Sequence, residues 1–368
     1  MRNRVITIIF CVILAAGIIS SIAVPDKHYS ENEKRTLKQF PEITAEKVFA
    51  GKIPDEVEDY LTDQFPARDA WVTVKTLSEL ASGKKESAGV YFADDGYLID
   101  SFKQVNEKLV NMNLEAIKRF ADSVQNDSSV KTYVMLVPTA AQILTDKMPA
   151  FAPGVDQNGI IELAEKIGLD TVDITEAFTK HKDEYIYYRT DHHWTSLGAY
   201  YAYAQWKQIK GETPEPINSF KTETLCDDFL GTTYAKVNYP FAKPDTITAY
   251  YNTEKHDVSY NDGKQTADSI YERKFLKGKD QYAVFLNSNQ ATTVVKGDGK
   301  GKLLILKDSY ANTFAQFVID EYEETHLIDL RFFKSSVSDY IKENGITEVL
   351  LLYNIPNFSS DVRVRTLS

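Results

Sequence analysis

From about residue 108 the chain alternates between two hydrophobic periods, and this alternation limits its fold more than any other feature. Leu109, Met112, Ala116, Ile117, Phe120, Ala121 and Val124 recur at helical spacing, which predicts a helix with one buried stripe. Residues 130–137 then form a β-branched, apolar-rich run stopped by Pro138, which predicts a strand. A helix near 160–167, strands near 169–174 and 184–188, and a helix over about 195–209 continue the pattern. The last third repeats it, with strands at 302–307, 326–330 and 348–353 and helices at 310–322 and 337–344, the latter ended by Gly345. Strands alternating with helices of this length predict an α/β fold, a mostly parallel sheet with helices on both faces. Between about 211 and 300 the pattern breaks. Pro214, Pro216, Pro240 and Pro244, short strand-like pieces and the turn pair Asp262-Gly263 predict an irregular β-rich insertion.

Open α/β sheets bind ligands beyond the carboxyl ends of their strands. Two strand-to-helix turns there carry chemistry: Tyr188-Arg-Thr-Asp-His-His-Trp-Thr195 and Lys307-Asp-Ser-Tyr-Ala-Asn312. Ser309 at such a turn would present its hydroxyl at the sheet edge, and its own N–H would face a developing oxyanion. A serine hydroxyl needs a base, and an imidazole oriented by a carboxylate is the usual one. Asp191, His192 and His193 offer both within three positions. Structural alternatives stand beside this: Ser309 or Asp191 as helix N-caps, or the Asp-His-His string as metal ligands. Side chains of successive extended residues diverge, which weakens the metal alternative. The other histidines, His28, His181, His256 and His326, form no spacing motif with the pair.

The N-terminus bears on location. Arg2 and Arg4 precede residues 5–24, which carry no charge. Twenty apolar-dominated residues at about 1.5 Å each match the hydrocarbon thickness of a bilayer. The expectation is a single N-terminal transmembrane anchor over 1–24, or a cleaved signal segment with Ser21-Ile22-Ala23 at its end. Either exports the remainder: a polar, partly helical region over 25–88 and a catalytic domain over 89–368. A short helix is expected around 55–63, with Val57, Tyr60 and Leu61 on one face.

With 53 acidic against 42 basic residues in 368, the net charge of −11 disfavours a nucleic-acid partner. Two cysteines, Cys11 and Cys226, supply neither a disulfide framework nor a cysteine zinc site. No cofactor is called for. The 22 tyrosines suit sugar stacking, although Tyr200, Tyr201 and Tyr203 follow helix geometry and belong in part to the core.

Asp191-His-His-Trp194 is the signature that gives the bacterial DHHW family its name. The chain also resembles that family in Ser30-Glu-Asn-Glu-Lys-Arg-Thr-Leu37, Asp63-Gln-Phe-Pro-Ala-Arg68, Gly89-Val-Tyr and the Lys307-Asp-Ser-Tyr turn. DHHW proteins are similar to the alginate O-acetyltransferase group, exported enzymes resembling SGNH hydrolases that acetylate polysaccharides. The resemblance implies an SGNH-like sheet, with Asp191 and His193 as the Asp-x-His pair and Ser309 as nucleophile. This order is the reverse of classical SGNH enzymes. His192 then becomes a structural or substrate-contacting neighbour. The glycine and asparagine oxyanion blocks are not evident; Gly231 and Asn287 or Asn289 are candidates, and Arg189 and Tyr310 adjoin the site.

The function expected is an exported O-acetyltransferase or acetylesterase acting on a cell-surface polysaccharide. As a transferase it would need a multi-span membrane protein as acyl donor, which the resemblance implies. The alternatives are a non-catalytic polysaccharide-binding or assembly scaffold with the same fold, and a metal-dependent hydrolase.

Overall fold

The structure, a computed structural model, describes residues 2–30, 35–128 and 130–367. It divides into two compact units, residues 1–88 with 234–241, and residues 89–233 with 242–368.

The smaller unit begins with helix α1 (Arg2–Ala23). Among the described residues no helix is long and apolar enough to cross a membrane, so the expected spanning anchor lacks support in the structure. Helices α2 (Ile53–Asp63) and α3 (Arg68–Ala81) follow. The Asp63-Gln64 pair at the end of α2 fastens the segment before it. Arg35 binds the Asp63 carboxylate in a two-pronged pair at 2.5 and 2.7 Å, and Lys38 N donates to it at 2.8 Å. The bonds from Arg35 hold that carboxyl below its usual value. Gln64 bonds the backbone of Lys27 and Lys38 at 2.9 Å. Of the Ser30–Leu37 string, residues 31–34 lie outside the described residues.

The larger unit is built on one eight-stranded sheet. Its strands are β1 (Lys131–Val137), β2 (Asp170–Thr171), β5 (Val258–Tyr260), β6 (Gln265–Ala267), β7 (Thr292–Lys296), β8 (Lys302–Lys307), β9 (Glu324–Ile328) and β10 (Glu348–Asn354). A separate antiparallel hairpin, β3 (Lys221–Phe229) with β4 (Asp245–Tyr251), stands apart from it. The sheet order is β6-β5-β7-β9-β8-β10-β1-β2. The block β9-β8-β10-β1-β2 is parallel, and β7, β5 and β6 extend it antiparallel. Half of the supposed insertion is therefore part of the main sheet. Its short strands read as irregular because they lie at an edge, where long apolar runs are not required.

Side chains of successive strand residues enter two cores, as a period of two demands. Met135, Val137, Leu303, Ile305, Leu350 and Leu352 pack with Trp194, Tyr203, Trp206 and Tyr310 on one face. Val134, Leu136, Leu304, Leu306, Val349 and Leu351 pack with Ile117, Phe120, Ile341 and Phe358 on the other. The covering helices include α4 (Glu107–Ser128), α5 (Ser196–Ile209), α6 (Tyr310–Phe314), α7 (Val337–Asn344) and α8 (Ile355–Ser360).

Local expectations hold where caps or periodicity are strong. Thr195 caps α5 by accepting from Gly198 N, and Gly345 ends α7 in the left-handed region at φ 64°. Three expectations need correction. Met112 is exposed, because α4 buries the neighbouring line through Val110, Asn113 and Leu114. The helix after Ser309 stops at Phe314 and tightens into a 3₁₀ turn, Ala315–Phe317. Residues 184–188 form no strand; Tyr187 makes one isolated bridge to Trp194.

Candidate active site

Strand β8 places Ser309. Its neighbours β9 and β10 flank it in parallel register, and Asp308 N continues the ladder to Leu352 O at 3.2 Å. The buried Asp308 carboxylate then accepts from Tyr310 N, Asn354 N and Asn357 Nδ2, each at 2.9 Å. It thereby ties the turn after β8 to the turn after β10. Burial pushes this carboxyl up, against the pull of the three donors. Ser309 occupies the N-cap position of α6, but its hydroxyl caps nothing. Oγ lies 2.7 Å from His193 Nε2 instead. The Ser309 N–H meets no acceptor among the described residues.

The imidazole comes from a turn without a strand of its own. His193 and Asp191 are each 4% exposed. His193 Nδ1 lies 2.5 Å from Asp191 Oδ1, which also accepts from His193 N at 3.0 Å. Asp191 Oδ2 accepts from Thr232 N at 2.7 Å and Thr232 Oγ1 at 2.9 Å. Asp191 thus does not cap α5, a role that falls to Thr195. Gly231 allows the approach: a Cβ there would stand 2.2 Å from Asp191 Cβ. One residue pair earlier, Asp245 holds the turn from below. It accepts from Arg189 N at 2.9 Å, Thr190 N at 2.7 Å and Thr190 Oγ1 at 2.6 Å, and also from the Tyr185 hydroxyl. Tyr282 stacks on the His193 ring at 3.8 Å between centroids, while its hydroxyl donates to Ser309 O at 3.0 Å. Trp194 Nε1 donates to Tyr310 O at 3.0 Å, linking the imidazole turn to the helix of the serine.

The remaining sequence candidates fall into different places. His192 flanks the pair, partly exposed, with Nδ1 2.6 Å from Thr232 Oγ1. Tyr310 is fully buried and its hydroxyl donates to His192 O, so it is a strut and offers nothing to a ligand. Arg189 lies over the Tyr185 ring at 4.6 Å. The Gly231 N–H is committed to Thr190 Oγ1 at 3.1 Å, which removes it as an oxyanion donor. Asn289 Oδ1 accepts from the buried Lys307 Nζ at 2.9 Å, and Asn287 Nδ2 reaches Gln265 at 3.3 Å. Burial pushes the Lys307 ammonium down to about 8. Cys226 is equally removed from chemistry, its thiol pushed up to about 11 by burial. Thr232, Asp245, Thr190 and Tyr282 were not singled out from sequence. Thr190 lies within the Tyr188–Thr195 turn and Thr232 beside Gly231, whereas Asp245 and Tyr282 lie in no motif.

Asp191, His192 and His193 offer ligand atoms within 4.8 Å of one another, the only such group among the described residues. Two of those atoms already bond each other at 2.5 Å, and the far nitrogen of His193 bonds Ser309. A metal ion held through His193 would have to break one of these contacts.

A mostly parallel sheet that holds a carboxylate, an imidazole and a serine hydroxyl in one hydrogen-bonded line defines an α/β protein with the arrangement of nucleophilic serine chemistry. The DHHW protein family matches residues 76–328, and the chain belongs to that family. Among solved structures, a DHHW family protein from Eubacterium siraeum is 27% identical, covering 77% of this chain and 97% of its own, with a TM-score of 0.64. Bacillus cereus PatB1, carrying a sulfonyl adduct, is 18% identical over 76% of this chain and 98% of its own, also at 0.64. The O-acetyltransferase domain of Pseudomonas putida AlgJ is 16% identical over 74% and 93%, at 0.49. No curated protein matches the chain.

Proposed function

We propose that the protein transfers acetyl groups through an acyl-enzyme on Ser309, and that the acceptor is a polysaccharide hydroxyl. The supporting observation is the unbroken line from Asp191 Oδ1 through His193 to Ser309 Oγ, with contacts of 2.5 and 2.7 Å. His193 Nε2 takes the proton from Oγ as Oγ attacks an acetyl carbonyl, then returns it to the departing oxygen. The acceptor hydroxyl enters by the same route, with His193 again the base. Asp191, held by Thr232 on its other oxygen, keeps Nδ1 protonated and Nε2 facing the serine. The Ser309 N–H supplies one donor to the oxyanion. The Tyr282 ring, stacked on the imidazole, limits its rotation.

Transfer is favoured over hydrolysis by family resemblance, and so are export and a multi-span membrane donor. The apolar residues 5–24 after two arginines support the export, as anchor or as leader. The test is turnover of a chromogenic acetyl ester, with and without polysaccharide acceptors, by the protein and by Ser309→Ala. A sulfonyl fluoride should label the protein once, at Ser309. Ester turnover and labelling that survive Ser309→Ala would remove the proposal and leave the scaffold alternative.

A further inference from the structure

The Asp308–Ser309 turn has two sides, and the triad occupies one. On the other lies a cavity of about 350 Å³, lined by Asp308, Arg331, Tyr353, Asn357, Asp361 and Arg363 among others. Its volume falls within the range of small-ligand sites. It sits beyond the carboxyl ends of β8, β9 and β10, the edge where parallel sheets place ligands. Strand alternation separates it from the triad: Tyr353 belongs to the core on the opposite face from Tyr310.

Two polar atoms in its lining lack partners. Tyr353 is 1% exposed, and its hydroxyl bonds nothing among the described residues. Asp361 Oδ2 is likewise buried and unbonded, while Asp361 Oδ1 accepts from Arg363 N at 2.8 Å. A buried phenol and carboxylate oxygen without partners are costly unless something fills the cavity. Asp308 and Arg331 are engaged. Asp308 already accepts three protein donors, and Arg331 grips Asp329 with two nitrogens at 2.5 and 2.9 Å.

The chemistry of the occupant follows from what is missing. In the lining Asp308 and Asp361 balance Arg331 and Arg363, and Asp329 outside it already pairs with Arg331, so no excess positive charge selects an anion. No three carboxylates here approach closely enough to hold a metal ion, the Asp191 group being the only such cluster among the described residues. A ligand is needed that donates to Asp361 Oδ2 and both donates to and accepts from a phenol. Neighbouring hydroxyls on a neutral ring do this. We propose that this cavity is a second saccharide subsite, holding a neutral, hydroxyl-bearing sugar unit behind the nucleophile turn. The inference rests on the polysaccharide acceptor proposed above, and it is tested without catalysis.

The experiment titrates the full-length Ser309→Ala protein with D-glucose and N-acetylglucosamine, observed by saturation-transfer NMR, with D-glucuronate and inorganic phosphate as anionic comparators. A single sugar should bind with Kd on the order of millimolar. Tyr353→Phe and Asp361→Asn should each weaken it about five- to tenfold. Tyr353→Phe removes a hydroxyl that bonds nothing in the protein, so its Tm should be no lower than that of the parent. The proposal is overturned if neither neutral sugar saturates, which would make the cavity a water site. It also fails if phosphate or glucuronate binds in their place, or if both variants bind sugar as the parent does. Loss of ester turnover bears on Ser309 alone and leaves this result untouched.

Discussion

The two turns that meet at the candidate site are held by different physics. The Ser309 turn hangs on an interior strand of a parallel block, and backbone hydrogen bonds on both sides place it. The Asp191–His193 turn follows no strand, and side chains do the same work: Asp245 beneath it, Thr232 beside it, Tyr282 across the ring. A ladder is insensitive to the identity of its side chains. A turn fixed by side chains depends on each of them, because a buried donor left without its acceptor costs about 1–3 kcal/mol, more than the bond's net worth.

The strongest test removes the line itself. Ser309→Ala and His193→Ala should each lower acetyl-ester turnover by roughly 10⁴–10⁶-fold, Asp191→Ala somewhat less, and the double variants no further. Circular dichroism of Ser309→Ala should match the parent, since Ser309 contributes no cap bond.

Next comes the support of the imidazole turn. Asp245→Ala strands three donors from residues 189 and 190 and the Tyr185 hydroxyl, and should cost about 3–5 kcal/mol by urea unfolding. A loss below about 1 kcal/mol would show that this turn, too, is placed by its backbone.

The serine turn is probed by pH. The Lys307 ammonium titrates at about 8 in the fold against 10.5 ordinarily. Between those values the unfolded chain holds more protons, so Lys307 adds stability as pH rises through the window, by roughly 3 kcal/mol in all. The stability of the protein relative to Lys307→Met should climb from pH 8 to 10.5, and a flat difference would contradict the burial argument.

Gly231→Ala puts a methyl into Asp191 and should displace the carboxylate, with turnover falling about 10²-fold and KM little changed. His192→Ala is the smallest effect expected, under about tenfold, because its ring bonds Thr232 and not the serine. If this variant is inactive and His193→Ala active, the base is the neighbouring residue.

Much of this was legible before any coordinates. Period and punctuation predicted the parallel strands and their helices, since a strand buried on both faces must be apolar throughout. The Asp-His-His string and the distant serine stood out as candidates at expected strand-to-helix turns, and the family resemblance implied the pairing of Asp191 with His193. The edge strands of the sheet were not recognised. Val258–Tyr260 and Gln265–Ala267 have three residues each, too few for a period to register. The supports were also silent. Asp245 is one acidic residue among 53, and nothing in its neighbours marks it as the acceptor for a turn 55 residues earlier.

Sequence alone determined which segments alternate and which carboxylate, imidazole and hydroxyl groups fall in the turns between them, because these follow from local periodicity and residue chemistry. Only the tertiary structure decided that Ser309 bonds an imidazole 116 residues away and caps nothing. It also decided that Gly231 yields to a carboxylate and gives its N–H to Thr190, and that Tyr310 is a strut. Those outcomes depend on which buried groups meet across the chain, and a hydrogen bond's partner is set by three-dimensional proximity, which no local pattern encodes.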